Sequence, residues 1–168
     1  GRLDMALVGT DDLADERLEC LPLREGRIYV CLPRGHRLEG RQTVTMADLK
    51  DEPIISTLQG LPYTTFCMNM FQKAGITPNI VTECDYPMRP RLLASGMGIA
   101  LLYGPTLEQP VVAELFGSFQ CIPIADDCAV RRLGLFWRKG RHLTPVMKDL
   151  RAFLKELYPL EPQNQKQS

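Results

Sequence analysis

Two histidines, six cysteines and three polar strand ends are the places where this 168-residue chain could do chemistry. His36 and His142 stand beside glycine or arginine, in Pro33-Arg34-Gly35-His36 and Gly140-Arg141-His142, with no Ser or Cys elbow motif near either. They read as solvated loop histidines, not as general bases. Cys20, Cys31, Cys67, Cys84, Cys121 and Cys128 form no CxxC pair and have no histidine-rich ligand spacing. Four of them fall inside apolar strand or helix patterns, where a free thiol behaves as a small hydrophobe. With no secretory signal in the sequence, reduced thiols are expected in preference to disulfides or metal ligands. Gly96-Met97-Gly98 follows a helical pattern, the reverse of the strand–glycine–helix order that cradles phosphate. No catalytic constellation emerges. The expectation is a chain that is not an enzyme and uses neither metal nor cofactor.

Ligand binding has better support. In open α/β sheets, ligands sit at the carboxyl ends of strands and at helix N-termini, where free amides and the dipole favour an anion. Three such places occur. Gly9-Thr10 ends the first strand pattern, and Ser56-Thr57 ends another ahead of a helix that starts near Pro62. Cys84-Asp85 ends a third, at the start of a helix carrying Met88. The competing reading is that Ser56 and Thr57 merely cap the next turn.

The elements that must position these residues centre on Arg91–Tyr103. Leu92-Leu93-Ala94 finishes a helix, and Gly96 suits the left-handed residue that follows a helix C-terminus. Gly98 allows close backbone approach, and Ile99-Ala100-Leu101-Leu102 is an apolar run of buried-strand length. Elsewhere, strands are expected over Leu3–Val8, Leu18–Leu23, Ile28–Leu32, Pro53–Thr57, Asn79–Cys84, Val111–Ala113, Phe119–Ile124 and Leu133–Trp137, with a turn at Arg24–Arg27. Thr45 and Asp48 suit a capping-box variant on a short helix. A helix with Tyr63, Cys67, Met70, Phe71 and Ala74 on one stripe stops at Gly75, and that stripe reads as core. Gly104–Gln109 reads as a brief helix or turn. Thr144-Pro145 opens the last helix, whose Val146, Met147, Leu150, Phe153, Leu154 and Leu157 make an apolar stripe ending at Pro159. Strands alternating with helices imply a largely parallel, helix-covered sheet.

Composition limits the function classes. Twenty basic and twenty acidic residues give no net charge, whereas a stand-alone nucleic-acid-binding domain carries a basic excess. The run Arg131, Arg132, Arg138, Lys139, Arg141 is interrupted by a buried-type strand and reads as a solvated rim. No apolar run approaches the roughly 18 residues of a membrane span, so no membrane partner is expected.

Six segments in order carry a resemblance: Gly1-Arg2-Leu3-Asp4-Met5-Ala6-Leu7-Val8, Val30–Leu38, Met46–Ile55, Phe71–Pro78, Arg91–Tyr103 and Arg132–Gly140 with a closing helix. At these spacings the set, from Gly1 to about Tyr158, resembles the effector-binding domain of LysR-type transcriptional regulators. The resemblance implies an α/β fold like the periplasmic binding proteins of the second type, two αβ subdomains joined by crossing strands. Subdomain II would span Pro33–Ile124. Subdomain I would be assembled from Gly1–Leu32 and Ala125–Tyr158, without its opening strands and helices, and 159–168 would be a disordered tail. The resemblance also implies a small-molecule effector between the subdomains, with a carboxylate as the class considered. Its site would be lined by Gly9, Thr10, Leu32, Pro33, Ser56, Thr57, Cys84, Asp85, Met88 and Gly98. Where many relatives put Ser or Thr after the fourth strand, this chain has Cys84. Some relatives sense peroxide through a cysteine pair after the Ile54-Ile55 strand; only Cys67 stands there, so redox sensing is not implied. Self-association as a homodimer, a cytoplasmic location, and DNA contact only through a missing N-terminal domain complete the expectation. The alternative is an extracytoplasmic solute-binding protein of the same fold.

Overall fold

The computed structural model describes residues 3–159. Gly1, Arg2 and, beyond Pro159, the tail expected to be disordered lie outside the described residues. In chain order the elements are β1 (Met5–Thr10), β2 (Leu18–Leu32), β3 (Pro53–Thr57), α1 (Pro62–Lys73), β4 (Asn79–Cys84), α2 (Arg89–Ala94) and β5 (Ile99–Tyr103). They continue with α3 (Gly104–Leu107), α4 (Pro110–Phe116), β6 (Gln120–Pro123), β7 (Val130–Arg138) and α5 (Pro145–Leu157). The described residues fall into two compact units: 26–131, and 3–25 with 132–159. The chain passes from one unit to the other along β2 and β7, strands of 15 and 9 residues. No turn marks either passage, whereas the sequence suggests divisions at Leu32/Pro33 and Ile124/Ala125.

In the larger unit, β3 runs parallel to β4 and β5, and β2 pairs antiparallel with both β5 and β6. The sheet is therefore mixed. Parallel pairs arise where α1 and α2 provide crossovers, and antiparallel ones where β2 enters without one. Successive residues point to opposite faces. Ile54, Ile99, Leu101, Val30 and Leu32 pack with Phe66, Met70 and Phe71 of α1 on one side. Ile55, Ala100, Leu102 and Cys31 pack with Leu93, Val112 and Phe116 on the other. This double coverage explains why Ile99–Leu102 is apolar throughout. Gly96 takes a φ of +74°, and the Met97 amide bonds the Leu92 carbonyl at 3.3 Å, closing α2 as expected.

Four local expectations need correction. The turn at Arg24–Arg27 is continuous strand, because Gly26 lets it pass α3: a Cβ there would lie 2.4 Å from the Pro105 ring. Val111–Ala113 is helical, since Pro110 opens α4 and Val112 and Phe116, four residues apart, are both buried. Cys31 and Cys121 are not free thiols: they stand opposite each other in the β2–β6 ladder, Cα atoms 4.1 Å apart, and form a disulfide. Ninety residues separate them, so spacing gave no signal of a pairing that strand register creates. Cys20, Cys67, Cys84 and Cys128 are free.

The fourth correction concerns α5, in the smaller unit. There β1 pairs antiparallel with β7 from Met5↔Trp137 to Thr10↔Arg132. Thr144 accepts the Met147 amide at 3.4 Å and caps α5. Met147 and Leu154 join Leu23, Leu135 and Trp137 in the core. Val146, Leu150, Phe153 and Leu157, a neighbouring stripe of the same helix, are exposed among the described residues. The expected single apolar stripe is thus two faces, of which one is core.

Candidate functional site

The carboxyl ends of β3 and β4 lie side by side, Thr57 opposite Cys84. From β3 the chain turns through Leu58–Leu61 into α1, and from β4 through Asp85 into α2. A small pocket opens here, with about 10 Å³ of space, room for about one water. Ile54, Ile55, Ser56 and Thr57 of β3 line it, with Tyr63, Cys67 and Met68 of α1, Arg89 of α2 and Leu101 of β5.

The two hydroxyls expected to face a ligand have committed their protons inside the protein. Thr64 Oγ1 donates to the Leu58 carbonyl at 2.7 Å, so in its 2.6 Å contact with Thr57 it accepts and Thr57 donates. Ser56 Oγ donates to the Thr57 carbonyl at 3.1 Å. Both side chains line the cavity but offer it lone pairs, not donors.

Arg89 supplies the opposite character. It is 1% exposed, the largest of the fully buried side chains. Nη2 donates to the Leu101 carbonyl at 2.6 Å and reaches the Ile55 carbonyl at 3.4 Å, while Nε and Nη1 are buried without a partner in the protein. Its carbon Cζ stands 5.9 Å from the Tyr86 ring centre. Burial pushes the Tyr63 phenol well above its ordinary range and the neighbouring Cys67 thiol up to about 11. Cys67 is therefore a protonated thiol at neutral pH, unsuited to nucleophilic work.

The remaining expected site residues separate by position. Cys84 is partly buried, and that burial raises its pKa. Asp85 Oδ1 accepts the Met88 amide at 3.1 Å and caps the turn into α2, and Met88 is 40% exposed. Leu32 and Pro33 are buried; Leu32 belongs to the core and neither lines the cavity. Gly98 leaves the set: it precedes β5 beside Pro53, at the amino ends of the parallel strands, where a Cβ would lie 2.3 Å from the Pro53 carbonyl oxygen. Gly9 and Thr10 end β1 in the smaller unit, where the Thr10 hydroxyl bonds Asp11 at 3.3 Å.

Two loop expectations also change. His142 is exposed, but the His36 side chain is only 12% exposed, its Nε2 2.9 Å from Glu52, which Arg37 also engages. Within the basic run, Arg131 is not solvated rim: its guanidinium packs 5.4–5.8 Å from the rings of Tyr63, Phe66 and Tyr103. Arg89 was the residue the sequence concealed. Its one signal was its place four residues before Leu93, on the buried face of α2.

The sequence model of the family described as the LysR substrate binding domain matches residues 1–159. Among curated relatives, the transcriptional dual regulator GltC of Bacillus subtilis (strain 168) is 27% identical over 158 residues, covering 93% of this chain and 51% of its own length. The HTH-type transcriptional regulator ShiR of Corynebacterium glutamicum (strain R) is 28% identical, covering 83% and 46%. The chain thus spans about half the length of the curated relatives it matches. Among solved structures, the regulatory domain of Synechocystis PCC6803 CcmR in complex with 2-PG superposes with a TM-score of 0.73 at 21% identity, covering 96% of this chain and 76% of that one. The effector-binding domain of a BenM variant gives 0.73 at 22%, covering 94% and 72%. The fold is the periplasmic-binding-protein type II-like one of these domains.

Proposed function

The chain belongs to the LysR substrate-binding domain family, and from that premise we propose that it is the effector-sensing part of a DNA-binding transcriptional regulator. The observation that carries this is the pocket where β3 ends, lined by Ser56, Thr57, Tyr63 and Arg89, the last with buried donors that no protein group meets. Ligand binding here favours one conformation of the domain over another by its differential affinity for the two. The domain is not catalytic. It works in the cytoplasm as a homodimer, and DNA contact belongs to a helix-turn-helix region outside these 168 residues. The naming of relatives as regulators supports this reading over solute transport. No helix among the described residues is long and apolar enough to cross a membrane.

A metabolite panel screened by thermal shift and backbone NMR tests the proposal. A binder should raise the melting temperature and move the amide signals of Ser56, Thr57 and Leu101. Binders that perturb only residues remote from β3 would sink the cavity assignment.

A further inference from the structure

We propose that Cys31 and Cys121 form a reversible thiol–disulfide site, through which the redox state of the surrounding small thiols sets how firmly the larger unit is held together. The proposal stands apart from the pocket at the end of β3 and draws only on the cytoplasmic placement given above, where disulfides are transient or redox-sensing more often than structural. Strand register, not the bond, brings the two sulfurs together. Tyr29↔Pro123, Val30↔Ile122 and Leu32↔Gln120 flank the Cys31↔Cys121 pair, and β5 holds the other edge of β2 through Cys31↔Ala100. The dithiol therefore occupies the same ladder as the disulfide, and closing the bond needs no rearrangement of either strand. The bond spans 90 residues of sequence and encloses β3, β4, β5 and their helices. A cross-link over so long a segment strongly restricts the unfolded chain.

The two cysteines differ in access. Cys31 is 0% exposed, inside the cluster of Ile55, Ala100, Leu102 and Phe116, whereas Cys121 packs against that cluster and is only partly buried. Exchange therefore begins at Cys121. Its sulfur, as thiolate, attacks one sulfur of a small-molecule disulfide; that S–S bond breaks, and one small thiolate leaves and takes up the Cys121 proton. Cys31 then gives up its proton and attacks the Cys121 sulfur, the mixed disulfide breaks, and the second small thiol leaves with that proton. The two protein sulfurs lose two electrons and the small disulfide becomes two thiols. Reduction by two small thiols is the reverse. Cys20, Cys67, Cys84 and Cys128 are free, and burial raises the pKa of each, which keeps them protonated and slow to exchange.

The test equilibrates the native 168-residue chain in about 5 mM glutathione at reduced-to-oxidised ratios from about 1:1 to about 1000:1, quenches with acid, and locates alkylated cysteines by mass spectrometry of peptides. Cys31 and Cys121 should pass together from disulfide to dithiol within that range and return when the ratio is reversed. A pair that stays oxidised at every ratio is a structural link, and one that stays reduced is two ordinary thiols; either result overturns the proposal. The oxidised chain should melt about 5–15 °C above the reduced one, a difference absent from Cys121→Ser. Equal melting temperatures overturn the hold on the larger unit. Cys31→Ala should trap one glutathione on Cys121, and Cys121→Ser should take none on Cys31; glutathione on Cys31 in place of Cys121 overturns the order of attack. If Cys31→Ala does not fold, the ratio titration and the paired melts of the parent chain decide. No metabolite enters these measurements, so their failure leaves the effector reading standing, and failure of the metabolite panel leaves this site standing.

Discussion

Thr57 shows how a buried hydroxyl can line a cavity without serving what enters it. Its proton is held by Thr64, which itself donates to Leu58. Thr57→Val should therefore cost about 0.5–1.5 kcal/mol of stability, the worth of one net hydrogen bond. Urea unfolding checks this, and an unchanged midpoint would mean that the Thr57–Thr64 bond contributes nothing. Cys67 gives a pH prediction. Burial holds its thiol near 11, above the ordinary 9.0, so the folded protein favours the neutral form. That stability is complete below pH 9 and is lost as pH rises from about 9 towards 11, the unfolded thiol ionising first. Cys67→Ala should flatten this part of the alkaline profile relative to the parent, followed by circular dichroism at a series of pH values; an unchanged slope would place the ionisation elsewhere. Ser56 and Thr57 were legible because strand ends before a helix follow a general rule. Arg89 was not, because an arginine in a helix normally reads as solvated and only its i, i+4 relation to Leu93 says otherwise.

Elements whose type depends on neighbours far away were the least legible. Val111–Ala113 has β-branched residues and no strand partner, and Pro110 with the burial of Val112 and Phe116 makes it helix. β3, by contrast, was legible to the residue, because Pro53 opens it and the apolar Ile54-Ile55 pair is buried on both faces. In α5 periodicity found the helix but could not divide its wide apolar arc. The structure does: Leu154 is 7% exposed and Phe153 58%. Leu154→Ala should cost about 2–5 kcal/mol and Phe153→Ala less than about 0.5 kcal/mol in this chain. Thermal denaturation of the two variants checks this, and equal losses would mean that both faces are covered in solution.

At the scale of the whole molecule, the Cys31–Cys121 link ties β2 to β6 within Gly26–Arg131. Thiol titration of the denatured, unreduced protein should return four reactive groups, and six would show the pair reduced. The division of the chain was only partly visible in the sequence, because β2 and β7 carry it between units without a break in pattern. That threading sets an order in time. The larger unit is one uninterrupted segment, whereas β1 finds its partner only when β7 has been made: Thr10 pairs with Arg132, 122 positions later (132 − 10). At roughly 5–20 residues per second, the edge of β1 that meets β7 waits on the order of 6–24 s at the ribosome for that strand. The smaller unit is thus finished after the larger one, and β1, made before that unit, meets β7 only after it.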